Sequence, residues 1–186
     1  AADASPLSVN IFGNLDNKYE LNVASMHKLG EHWSTGILAH GEKGFKMHDN
    51  NKDGFSDMPQ VEQFNFMNRW HYKGHDRNFQ IGFKALGEDR QSGQLAKAVK
   101  PGEERYQIGV ATDRYEAYAK GAFAINHEQN SNLAFTLSGS WHHHDATYGH
   151  KAYDVKQTSG YGSLMYESDF GAHHNLSTGL NFVYDA

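Results

Sequence analysis

The strongest chemical signal in this sequence is a run of oxygen donors, Asp49, Asn51, Asp53, Phe55 and Asp57, with Gly54 among them. The spacing Asp-x-Asn-x-Asp-Gly-x-x-Asp matches the first nine positions of an EF-hand-type calcium loop. In such a loop, side-chain oxygens at positions 1, 3 and 5 face one hard cation and the glycine makes a sharp turn. Position 7 offers its backbone carbonyl and position 9 acts through water. Phe55 would supply that carbonyl. Position 12 is Gln60, which cannot replace a bidentate glutamate, so the cage is incomplete, closed by Glu62 or another loop, and of weak affinity. Calcium is therefore the expected cofactor. The plainer reading is a hydrophilic loop whose Asn and Asp residues only make turns.

Histidine is the second signal, with 13 in the chain and three in succession at His142, His143 and His144. On a strand His142 and His144 share a face. His150 lies across an adjoining loop with Asp145 and Asp154, so imidazole and carboxylate could converge there on a substrate, a transition metal or haem iron. The plainer reading makes them neutral hydrogen-bonding groups on a lumen or rim. His173 and His174 read as solvated turn residues. Ser138, Ser140, His142 and Asp145 hold the parts of a hydrolytic triad only loosely. A strand fixes their separations and offers no nucleophile elbow or oxyanion turn, so the chain is not expected to be an enzyme.

The elements that must position these residues follow from periodicity. In 186 residues there are 11 Phe, 10 Tyr, 3 Trp, 19 Gly, 3 Pro and no Cys. That aromatic content excludes a disordered chain, and the absence of cysteine removes disulfides, thiolate metal sites and thiol nucleophiles. No apolar run could cross a bilayer as a helix, and Ala1 to Asn10 has no signal-peptide pattern. A net charge of −5 with no basic run makes nucleic acid an unsuitable partner. Apolar side chains recur every second residue, as in Tyr19, Leu21 and Val23 or Phe79, Ile81, Phe83 and Ala85. Nine strands are expected, at 5–13, 18–28, 32–43, 60–73, 78–90, 105–127, 132–146, 159–170 and 175–185. Many exceed the usual strand of about 5–6 residues and approach the ~9–11 needed to cross an outer membrane at a tilt.

Connection lengths alternate. Short turns are expected at 29–31, 74–77, 128–131 and 171–174, and long polar loops at 44–59, 91–104 and 147–158. The short connection near Leu15 to Asn17 is the one exception on the loop side. Short turns at one end and long loops at the other suit an outer-membrane barrel. The expected fold is all-β, an antiparallel up-and-down transmembrane β-barrel segment of about nine strands. Single-chain bacterial barrels close with an even number, so this barrel is expected to be incomplete. The alternative is a soluble calcium-stabilised β-sandwich, a binding module for carbohydrate or protein. Trp33, Trp70, Tyr72, Phe79, Trp141, Tyr161 and Tyr166 fit either membrane-interface rings or ordinary sheet packing.

Three segments carry a family resemblance. They are Ser8-Val9-Asn10-Ile11-Phe12-Gly13-Asn14, the run from Asp49 to Pro59 leading into Phe64-Asn65-Phe66-Met67-Asn68-Arg69-Trp70, and Asp145-Ala146-Thr147-Tyr148-Gly149-His150. The sequence resembles TonB-dependent outer-membrane receptors of the Bacteroidetes type over essentially its whole length. The resemblance implies that residues 1–186 form a partial barrel domain, the N-proximal part of a 22-stranded wall. The family's plug domain, TonB box and terminal aromatic are not expected within residues 1–186. It further implies residence in the outer membrane of a Gram-negative bacterium and contact with its lipid. The implied function is energised uptake of a scarce nutrient such as a ferric siderophore, haem or cobalamin, with the TonB complex engaged through a plug.

Overall fold

The computed structural model describes residues 6–170 and 173–186. The period-two pattern becomes nine strands: β1 (Leu7–Gly13), β2 (Lys18–Leu29), β3 (Trp33–Gly44), β4 (Gln60–Lys73), β5 (Arg77–Gly93), β6 (Gln107–Asn126), β7 (Ser131–Tyr148), β8 (Lys151–Phe170) and β9 (His174–Asp185). Each strand pairs antiparallel with its neighbour in sequence, giving one open up-and-down sheet in the order β1 to β9. One turn of 3-10 helix, Ala96–Ala98, is the only helical element among the described residues. Residue 5 of the first expected strand and residues 171 and 172 of the last expected turn lie outside those described.

The short turns fall where expected, at 30–32, 74–76 and 127–130. The expected long loop at 147–158 does not exist. Strands β7 and β8 stay in register from Asn132↔Glu167 to Tyr148↔Lys151, and Gly149 and His150 alone make the reversal. Thr147, Tyr148, Tyr153 and Val155 favour extended backbone, and Gly149 takes the positive φ of +59° that the turn requires. Polar composition in this stretch marks solvent exposure rather than irregular backbone. The two long connections are therefore 45–59 and 94–106, both at the same end of the sheet.

Strand register sorts the side chains onto two unlike faces. One face is concave and polar. Asn10 on β1, Asn22 on β2, His40 on β3, Asn65 on β4, Lys84 on β5 and Glu116 on β6 line a single recess of about 570 Å³, so the sheet curls towards this side. The Lys84 ammonium lies 3.2 Å from one Glu116 oxygen and the Arg114 guanidinium 2.5 Å from the other. Gln80 Nε2 donates to the Tyr118 hydroxyl at 2.8 Å nearby.

The convex face is apolar through its middle. Along β6 it carries Tyr115, Ala117, Ala119, Gly121, Phe123 and Ile125, and register sets Phe79, Ile81, Phe83 and Ala85 of β5 and Leu133, Phe135, Leu137 and Trp141 of β7 beside them. Ten residue steps along a strand span about 33 Å along its own axis. Aromatic rings mark both borders of this belt. Tyr115 stacks on Trp141 at 5.8 Å towards the loop end, and Trp33 meets Tyr72 edge-on at 5.1 Å towards the turn end. Beyond the upper border the same face turns charged. Lys43, Glu62 and Asp89 lie side by side on three strands, and Asp113, His143 and Lys156 on the next three. Of the seven rings singled out above, six belong to this face. Tyr161 is on the concave side, its hydroxyl 3.3 Å from Asn181 Oδ1.

Almost nothing is buried. Among the described residues the one buried apolar side chain is Ala146, while Leu137, Phe64 and Leu180 stand 54%, 54% and 76% exposed. No second layer covers either face. Even so, the belt's polar atoms are satisfied locally: Trp70 Nε1 donates to Asn68 Oδ1 at 2.6 Å, and Asn68 Nδ2 donates to the Gly36 carbonyl at 3.2 Å. Packing along the belt is tight in places. A Cβ on Gly121 would stand 2.6 Å from Phe135 and 3.2 Å from Phe79, in a ring cluster that also holds Phe123. Gly121→Val should lower unfolding stability by about 1–3 kcal/mol through overpacking, read as a lower midpoint in denaturant titration followed by Trp fluorescence.

Candidate functional site

The Asp49 to Asp57 segment sits in the 45–59 connection, where local side-chain to backbone bonds and two left-handed residues curl its backbone. Lys52 and Gly54 adopt φ of +63° and +89°. Asn51 Oδ1 accepts from the Asp53 amide at 3.1 Å, Asp53 Oδ1 from the Phe55 amide at 2.8 Å, and Asp57 Oδ2 from the Asn50 amide at 2.5 Å. These bonds hold three acidic or amide side chains over one curl of backbone. Asp49 is the exceptional member. Its side chain is 4% exposed, Oδ2 lies 4.0 Å from the Lys97 ammonium, and Oδ1 is buried with no hydrogen-bond partner. A buried carboxylate oxygen without a donor is costly unless a cation answers it.

The remaining donors do not close a cage. Gln60 Nε2 donates to the Phe45 carbonyl at 2.7 Å, and Glu62 is held 2.6 Å from Lys43 on the convex face. Glu62, expected as a closing ligand, is therefore engaged elsewhere, because strand alternation carries it to the other face of the sheet. Asp49, Asp53 and Asp57 are also not gathered within 4.8 Å of one another. Among the described residues that closeness belongs to one set alone, His75, Asp76 and His127.

The second long connection completes the loop's surroundings. Phe55 forms a β-bridge with Gln94, the Leu95 amide donates to the Gly54 carbonyl at 2.7 Å, and the Ser56 amide donates to the Gly93 carbonyl at 2.9 Å. The two long connections thus form one cap over the loop end of β3 to β6. Gly54 is the pivot, since a Cβ there would stand 2.6 Å from that of Ala98.

The histidines do not converge. His142 and His144 share the concave face as expected, their rings stacked at 6.3 Å, with His144 Nδ1 3.2 Å from Thr112 Oγ1. His142 Nδ1 is buried without a partner. His143 points to the convex face, 3.0 Å from Asp154. His150 occupies the β7–β8 turn, 3.7 Å from Glu104. The reason is the unbroken hairpin. From His144 to Tyr148 alone the strand advances about 13 Å, which carries His150 away from the pair it was expected to join.

Sequence reading missed the set at His75, Asp76 and His127 and the Lys84, Arg114 and Glu116 group, since both depend on register across strands. No family model matches this sequence, and no match is found among curated proteins or solved structures.

Substituting Gly54→Ala should separate the two halves of the cap, because the positive φ and the contact with Ala98 both oppose a side chain. Hydrogen exchange at the Leu95 and Ser56 amides should accelerate by about tenfold or more, corresponding to a loss of ~1.4 kcal/mol in local opening, while exchange in β7 stays unchanged.

Proposed function

We propose that the chain is part of the wall of an outer-membrane β-barrel, in a TonB-dependent receptor of the Bacteroidetes type that takes up a scarce nutrient as a metal chelate. The observation that carries this reading is the convex belt. It runs ten residue steps along β6, which would be about 25 Å at the ~40° tilt of barrel strands, is bordered by aromatic rings and capped by charge, and lies on a sheet whose described residues form no core of their own. A lipid-facing band of that height with aromatic girdles, opposite a polar interior, is the pattern of outer-membrane barrels. Hydrocarbon would cover the face that nothing in the chain covers, and the lateral pairing of every strand leaves its backbone groups satisfied there. The edges β1 and β9 would be continued by further strands. A sandwich requires a second apolar sheet facing the first, and the described strands form only one.

On this reading the concave face lines the lumen, and the cap made by 45–59 and 94–106 faces outward, where a ferric siderophore, haem or cobalamin would arrive. Calcium held by Asp49, Asn51, Asp53, the Phe55 carbonyl and Asp57 would stiffen that cap. An ordered loop loses less conformational entropy on capture of a ligand. The orphaned Asp49 oxygen supports the assignment, because an ion would supply its missing partner and relieve its reliance on Lys97.

Two measurements test the reading. Leu137→Arg, at the middle of the belt, should cost about 2–4 kcal/mol of unfolding free energy in lipid vesicles, against ~0–1 kcal/mol for Asp113→Arg in the charged border. Equal effects, or a stable monomer without detergent, would reject a membrane wall. Calcium titrated into the detergent-solubilised chain should bind once with a dissociation constant of about 10⁻⁴ to 10⁻³ M, the range of extracellular modules. Asp53→Ala should abolish that heat. Unchanged binding in the variant would remove calcium from the proposal.

A further inference from the structure

At the short-turn end, the turn at 74–76 and the turn at 127–130 are neighbours because β5 and β6 pair down to Arg77↔Phe123. The Ala124 amide donates to the Asp76 carbonyl at 2.7 Å, tying the first turn to the strand that leads into the second. This brings His127 Nε2 to 2.8 Å from Asp76 Oδ1 and His75 Nε2 to 3.7 Å from the same oxygen. The two imidazole rings are 5.8 Å apart, and all three donor atoms lie within 4.8 Å of one another.

One hydrogen bond explains one imidazole. It does not explain the second, which stands beyond hydrogen-bond reach of Asp76 yet converges on its oxygen. Two imidazoles and a carboxylate are the donors of a borderline divalent transition ion. Metal bonds of about 2.0–2.2 Å in tetrahedral geometry place ligand atoms ~3.3 Å apart. The observed 2.8 and 3.7 Å straddle that value, so small rotations of exposed side chains suffice to admit an ion. Calcium and magnesium prefer all-oxygen sites, so this donor set favours a different ion from the one assigned to the 45–59 loop.

The turn that carries His127 is fixed from its far side. Asn130 adopts φ +46° and donates through Nδ2 to Asp169 Oδ2 at 2.6 Å, while the Asp169 amide donates to the Gln129 carbonyl at 2.7 Å. Ser131 Oγ and Ser168 Oγ are 2.6 Å apart and buried. Asn175 Nδ2 donates to Asp169 Oδ1 at 2.8 Å, so both carboxylate oxygens of this anchor are held. The three donors themselves are exposed, which leaves the other coordination positions to water or to an incoming ligand.

We propose that His75, Asp76 and His127 form a three-ligand site for a divalent transition ion of the zinc class, bridging two hairpins at the short-turn end. The proposal stands on the two turns and the bond between them, and does not depend on the transport reading.

The test is titration of Zn²⁺ and, separately, Co²⁺ into the full untagged chain in detergent micelles after chelator treatment. Zinc should bind once per chain, and the cobalt complex should show a ligand-field band of a four- or five-coordinate ion. His75→Gln and His127→Gln should each weaken zinc binding about tenfold or more. Asp76→Asn, which keeps an acceptor for His127 but removes the charge, should do likewise with an unchanged far-UV dichroism. His142→Gln and Asp53→Ala should leave zinc affinity intact. Zinc affinity within twofold of the parent in either turn-histidine variant would overturn the proposal, as would a loss that follows His142→Gln instead.

Discussion

A single sheet that buries neither face governs this molecule. Its backbone groups pair laterally, strand to strand, and one side is apolar through its middle while the other carries most of the polar groups. The described strands therefore have paired backbones and no hydrophobic core. In water such a belt of exposed Leu, Ile, Phe and Trp would drive association. Every other feature is arranged around this: long strands, a charged border on one side of the belt and aromatic rings on both.

The two ends of the sheet solve different problems. At the loop end, two connections of irregular backbone are knitted into one cap by three inter-loop contacts around Gly54, and a buried Asp49 carboxylate faces inward with one oxygen unanswered. That is a locally costly arrangement, of the kind found where a loop is completed by a ligand. At the turn end the reversals are tight and cross-braced, with Asn130, Asp169, Ser131 and Ser168 fastening one hairpin to the next. Rigid turns can hold side chains at fixed separations, which is why a donor set on two of them keeps its geometry.

The concave face is polar without being uniformly charged. Lys84 and Arg114 share Glu116, while Lys18 is bracketed by Glu20 at 2.8 Å and Glu42 at 3.0 Å. Cations and anions neutralise one another in small groups rather than forming a field of one sign. A face lined in this way presents many hydrogen-bonding groups and no field of one sign.

Sequence by itself determined the number of strands and most of their positions, because alternation has a period of two residues and needs no information from elsewhere in the chain. Tyr19 to Val23 and Phe79 to Ala85 declared themselves, as did the short turns near Gly30, His75 and Asn130. The curl of backbone at Asp49 to Asp57 was also legible, since Asx bonds and a positive-φ glycine act over a few residues. Only the tertiary structure decided what depends on register. It extended β7 and β8 through a stretch whose polar residues read as a loop, and so parted His150 from His142 and His144. It turned Glu62 away from the cation loop towards Lys43. It set His127 beside Asp76 across 51 residues of chain. The physical reason is range: local backbone preference is written in adjacent residues, whereas the partner of a side chain across a sheet is fixed by the pairing of strands that lie far apart in sequence.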